Sequence, residues 1–91
     1  MKIHIPTPLR TYTAGEETVD IPGATIASAL ENLTSAYPSL KANLYTPDGK
    51  LRSFVNLYFN DEDIRYLPAK EATPASDSDE LTIIPSIAGG N

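Results

Sequence analysis

Few residues in this sequence are equipped for chemistry, and the clearest candidates lie at its end, where Ile87-Ala88-Gly89-Gly90 is followed by a single Asn91. Glycine loses more backbone freedom on ordering than any other residue and adds no side chain to a core, so the pair contributes nothing to a compact domain. It offers instead a thin peptide that fits another protein's narrow channel, and a terminal glycine carboxylate is what an ATP-dependent activating enzyme can reach. A terminus with no role has the same composition, because chain ends are commonly unordered. Side-chain chemistry is sparse by comparison. The absence of Cys removes disulfides, thiolate metal sites, iron–sulfur clusters and thiol nucleophiles together. His4 is the only histidine, which rules out a multi-histidine metal site and leaves Ser28, Ser35 and Ser53 without a His–Asp relay. No glycine-rich phosphate cradle occurs. Neither a resident metal nor an enzyme active site is expected.

The elements that must position this tail follow from the apolar spacing. Lys2 to Pro6 alternates with Ile3 and Ile5 on one face, and Thr18-Val19-Asp20-Ile21 alternates again after an Ala14-Gly15 turn. The two form an N-terminal hairpin with a long, Thr-rich connection. After the Pro22-Gly23 break, Thr25 can cap a helix on which Ile26, Leu30, Leu33 and Tyr37 recur at three- and four-residue spacing until Pro38 stops it. Ser39 to Arg52 reads as irregular, anchored by Leu40, Leu44 and Leu51, with a turn at Pro47-Asp48-Gly49. The strongest strand is Phe54 to Phe59. A polar turn at Asn60-Asp61-Glu62-Asp63 leads from it to a short return strand, Ile64 to Leu67. Pro68 to Ser78 is rich in turn formers, and Glu80 to Pro85 is a final strand whose proline prevents ladder pairing beyond it.

With 91 residues there is room for one domain and one modest core. The net charge of −5 and pI near 4.6 argue against nucleic acid, whose phosphates require Lys and Arg, and leave a basic protein surface as the fitting partner. No apolar run approaches the ~18 residues of a membrane helix, and the polar start lacks a signal peptide's apolar stretch. The expected location is the cytoplasm, away from the membrane. The element order predicts an α+β β-grasp fold, as in ubiquitin, with one main helix across one face of a mixed sheet. It spans residues 1–86, and residues 87–91 form a flexible tail. The inward set is then Ile3, Ile5, Val19, Val55, Leu57, Leu81 and Ile83. Phe54, Tyr58 and Ile84 fall on the opposite face, which no second helix covers. They form either a docking surface beside the departing tail or an ordinary scatter of half-covered aromatics. His4 falls on that face as a solvated strand residue. Asp61, Glu62 and Asp63 read as a solvated turn or a contact for a basic partner. Asp77, Asp79 and Glu80 read as a solubilising loop or as steering charges for a basic channel mouth.

Two segments carry a family resemblance: Phe54-Val55-Asn56-Leu57-Tyr58-Phe59-Asn60-Asp61-Glu62-Asp63-Ile64-Arg65 and Leu81-Thr82-Ile83-Ile84-Pro85-Ser86-Ile87-Ala88-Gly89-Gly90. They resemble the ubiquitin-like sulfur-carrier family of the MoaD and ThiS type. The resemblance is strongest to its cysteine-biosynthesis branch, whose N-terminal run is similar to Ile5-Pro6-Thr7-Pro8-Leu9-Arg10. It implies a protein co-substrate, not an enzyme. A ubiquitin-activating-type adenylating enzyme, using ATP and Mg²⁺, would adenylate the Gly90 carboxylate, and sulfide or a persulfide would displace AMP to leave a thiocarboxylate. Ile87, Ala88, Gly89 and Gly90 would enter the partner's active site. The implied acceptor is a pyridoxal-phosphate cysteine synthase, although related carriers supply molybdopterin, thiamine thiazole, siderophores and thiosugars.

Asn91 departs from the family's working terminus. It implies a precursor trimmed by a JAMM-type zinc metalloprotease, a residue left from expression, or a chain blocked from activation. The alternative function is a non-covalent β-grasp interaction module or a ubiquitin-like modifier that ends in an isopeptide.

Overall fold

Strands that alternate inward and outward must share one register for their apolar faces to meet, and the computed structural model, which describes residues 1–85, has that register. The strands are β1 (Lys2–His4), β2 (Thr18–Asp20), β3 (Val55–Phe59), β4 (Glu62–Asp63) and β5 (Glu80–Pro85). They form a five-stranded sheet in the order β2-β1-β5-β3-β4. β1 and β5 are parallel, and the other three pairings are antiparallel. The inward set read from the sequence is buried throughout, from Ile3 and Leu81 at 0 % exposure to Val19 and Val55 at 9 %. The architecture is β-grasp, with the last strand at the centre of the sheet.

Helix α1 (Ile26–Ala36) covers the inner face with Ile26, Ala29, Leu30 and Leu33. Its start is fixed by a reciprocal cap: Ser28 N donates to Thr25 Oγ1 at 3.1 Å, and Thr25 N donates to Ser28 Oγ at 3.0 Å. Ser28 is therefore a capping residue. Thr25→Ala is expected to lower stability by about 1 kcal/mol and the melting temperature by roughly 4–8 °C. Chemical denaturation with an unchanged slope checks this, and a variant as stable as the parent would deny the cap a role.

Three segments differ from the sequence expectation. The stretch read as irregular contains a 3₁₀ turn, Pro38–Leu40, running directly into a short helix, α2 (Lys41–Leu44). Leu40 and Leu44 are both fully buried, as two residues four apart on one helical face can be. Arg52 ties the segment down, its Nε donating to Ala42 O at 3.0 Å and its backbone N to Leu44 O at 2.9 Å.

The second hairpin turns on two residues rather than four. Asn60 and Asp61 have φ of 50° and 73°, a left-handed pair matched to the strand twist, and Phe59 pairs directly with Glu62. The expected return strand Ile64 to Leu67 is absent, because the Asp63 carboxylate accepts from Arg65 N at 2.9 Å and turns the chain into a 3₁₀ helix, Ile64–Tyr66. The third difference is in the N-terminal connection, where Thr7–Thr13 forms a 3₁₀ helix with Thr13 fully buried. The Thr13 hydroxyl lies 3.0 Å from Glu16 O and 3.2 Å from Arg10 O, within donating distance of both.

Candidate functional site

The parallel pairing of β1 with β5 decides what surrounds the exit of the chain. Because His4 pairs with Thr82 and both strands run the same way, the segment that follows β1 heads toward the last residues of β5. On the other side β3 runs antiparallel and Val55 pairs with Pro85. Residue 85 thus leaves the centre of the sheet between Phe54 and the Pro6–Arg10 segment. Ile87, Ala88, Gly89, Gly90 and Asn91 lie outside the described residues.

Tyr58 and Ile84 occupy the outer face, opposite Thr82 and Asn56 in the register. Ile84 is 44 % exposed and Tyr58 half-buried. Phe54, also 44 % exposed, lies in the turn just before β3 rather than within the strand. Continued alternation puts it on the rim of the same face. An uncovered apolar face with an aromatic rim is suited to meeting another protein surface.

Beside it lies a groove of about 300 Å³ that sequence reasoning missed. Ile5, Pro6, Thr7 and Arg10 form one wall, and Thr82, Ile84 and Pro85 form the other. Its only sequence-level signal was the run Ile5-Pro6-Thr7-Pro8-Leu9-Arg10.

Three of the six acidic candidates have structural partners. Asp63 is 7 % exposed and held bidentately by Arg65, with Nη2 donating to Oδ2 at 2.6 Å and Nε to Oδ1 at 3.1 Å. These hydrogen bonds hold its carboxyl below the usual range. It is therefore not a solvated turn residue, whereas Asp61 and Glu62 are exposed. Asp79 accepts from Asn60 Nδ2 at 2.9 Å and from Ser76 N at 2.8 Å, clasping the preceding loop to the hairpin turn. Asn60 and Ser76 lower its carboxyl below the usual range.

His4 is not merely solvated either: its Nε2 stands 2.7 Å from Glu80 Oε1, and this hydrogen bond lowers the Glu80 carboxyl. Asp77 is exposed, while Ser35 and Ser53 are surface residues. Among the described residues no helix is long and apolar enough to cross a membrane.

Comparison with known proteins gives a consistent result. The ThiS family model matches residues 3–90. The sulfur carrier protein CysO of Mycobacterium tuberculosis is 40 % identical over 90 residues, covering 97 % of this chain and 96 % of the relative. Small archaeal modifier protein 1 of Haloferax volcanii is 38 % identical over 80 residues, covering 85 % of this chain and 86 % of the relative. A chain in the crystal structure of the Amycolatopsis orientalis BexX/CysO complex superposes with a TM-score of 0.84 at 40 % identity, covering 98 % of each chain.

Proposed function

The chain belongs to the ThiS family, and on that premise we propose that it is a sulfur carrier whose reactive group is the Gly90 carboxylate. The observation that carries this reading is the 40 % identity to CysO over 97 % of the chain. The fold supports it: β5, at the centre of the sheet, carries the exposed Ile84 close to its last residue, Pro85, and the reading asks for no catalytic side chain from the domain.

In this reading a ubiquitin-activating-type enzyme binds the face formed by Phe54, Tyr58 and Ile84 and takes in Ile87 to Gly90. The Gly90 carboxylate attacks the α-phosphorus of Mg²⁺-bound ATP and pyrophosphate leaves. Sulfide, or a persulfide followed by reduction, attacks the acyl carbon and displaces AMP. A carboxylate is a poor electrophile, and adenylation supplies the leaving group it lacks. The thiocarboxylate then donates its sulfur to an acceptor enzyme, of which a cysteine synthase is the leading candidate and a thiosugar-type synthase another. Dependence on ATP fits a cytoplasmic carrier.

Asn91 blocks this chemistry, because the Gly90 carbonyl is then an amide. We assign its removal to a JAMM-type metalloprotease. The 38 % identity to a small archaeal modifier protein favours a second reading, in which the same adenylated glycine is transferred to lysine amines as an isopeptide.

Incubating the chain ending at Gly90 with an adenylating enzyme, Mg-ATP and sulfide, and then measuring its intact mass, tests the proposal. A gain of one sulfur-for-oxygen exchange supports the carrier. An unchanged mass under conditions that release pyrophosphate, with conjugates on target lysines instead, favours the modifier.

A further inference from the structure

Of the seven Lys and Arg residues, Arg10 alone lines the groove at the exit of β5. Its Nε donates to Ile5 O at 3.1 Å, so the guanidinium is anchored to the end of β1, beside the strand that delivers the tail. It is half-buried and shares the groove with His4, Ile5, Pro6, Ile84 and Pro85. The two ion pairs among the described residues are His4–Glu80 and Arg65–Asp63, so no carboxylate of those residues lies within 4.0 Å of Arg10.

The contrast with the chain's overall charge of −5 is informative. Asp61 and Glu62 follow the end of β3, and Asp77, Asp79 and Glu80 lead into β5. All five therefore gather at the end of the sheet away from the exit, whereas Glu16 and Glu17, which precede β2, stand at the exit end, with Glu17 O accepting from Ile5 N at 2.8 Å. With no carboxylate of the described residues within 4.0 Å, Arg10 is open to one from outside. A guanidinium with restricted rotamers and apolar neighbours is pre-organised for a planar acceptor, which it meets through two parallel hydrogen bonds.

We propose that Arg10 is a specificity-determining residue that pairs with an Asp or Glu side chain at the mouth of the adenylating enzyme's channel. The inference rests on the sulfur-carrier reading. The adenylating enzyme is the assigned partner because its docking must succeed on the unmodified carrier before any other transfer can occur. The ion pair forms on docking and is unchanged through the chemistry, so it lowers KM without altering kcat.

The test is steady-state thiocarboxylate formation by the adenylating enzyme that activates the wild-type chain trimmed to end at Gly90, comparing Arg10→Gln and Arg10→Lys in the same trimmed chain at low and high ionic strength. Glutamine retains a donor for Ile5 O but no charge, and lysine retains the charge but not the planar fork. Arg10→Gln is expected to raise KM about tenfold at low salt with kcat unchanged, and the gap should close as salt screens the wild-type pair. Arg10→Lys should fall between the two and keep the wild-type salt dependence. Should Arg10→Gln fail to fold, as judged by circular dichroism, the lysine variant carries the test alone.

Three results overturn the inference: wild-type KM values in both variants, a loss of equal size at every ionic strength, or a loss confined to the later sulfur-acceptor step. Normal activation of the wild type alongside any of these removes the role of Arg10 and leaves the carrier reading in place. Failure of the wild-type chain ending at Gly90 to be activated removes both.

Discussion

Ile84→Asp is expected to slow activation about a hundredfold while leaving the melting temperature within a few degrees of wild type. Ile84 points away from the core on the central strand and is 44 % exposed, so the folded state does not depend on burying it. Docking does, in the reading given above. A central apolar anchor truncated or replaced by charge commonly costs 2 kcal/mol or more at an interface, and a carboxylate buried there without a partner adds its desolvation. The expected loss appears in kcat/KM for thiocarboxylate formation. Phe54→Ala and Tyr58→Ala should show smaller losses of the same kind. Unchanged kcat/KM for Ile84→Asp would remove the outer face from the docking surface and leave recognition to the tail and its flanking groove.

Gly23→Ala is expected to destabilise the fold by about 3 kcal/mol, through space rather than through backbone angles. A Cβ at position 23 would lie 2.6 Å from Ala29 N, 2.7 Å from Ala29 Cα and 2.8 Å from Ala29 Cβ. Two of these are backbone atoms of α1, which cannot swing aside as a flexible side chain would, so α1 must shift off the sheet. The damage should be remote from the exit. Lys2 pairs with both Asp20 and Glu80, so the end of β2 and Gly23 beyond it stand at the opposite end of the sheet from Pro85. Denaturant unfolding measures the loss, and activation assayed well below the lowered melting temperature should be near normal. A change under about 1 kcal/mol would contradict the close approach.

Gly23 also shows where sequence reasoning stops. It was legible as a break between a strand and a helix, because Pro-Gly punctuation is local. That it sits against Ala29 was not, because the contact depends on how α1 crosses the sheet. The inward set from Ile3 to Ile83 was legible because a strand's period of two leaves two choices of face and a single helix settles which one is covered. Thr25 was legible as a cap for the same local reason, although the answering hydroxyl of Ser28 went unseen.

The misread segments have separate causes. Ile64 to Leu67 has the composition of a strand, yet the Asp63 carboxylate, locked by Arg65, captures the Arg65 amide and forces a turn. Leu40 and Leu44 carried a helical spacing too short to stand out between Pro38 and Pro47. At the end where β5 leaves the sheet, the outward placement of Tyr58 and Ile84 was legible from alternation. The Arg10 groove was not, since it joins residues more than seventy positions apart that meet only through the parallel β1–β5 pairing.

The central claim is that the reactive atom belongs to the backbone end at Gly90, and fragmentation of the activated product in a mass spectrometer tests it most directly. After reaction with the adenylating enzyme, Mg-ATP and sulfide, the account predicts that the exchanged sulfur is found in the C-terminal fragment of a chain ending at Gly90, while a chain still carrying Asn91 remains unmodified. Sulfur located on any other residue, or an equal exchange in the chain that retains Asn91, would contradict it.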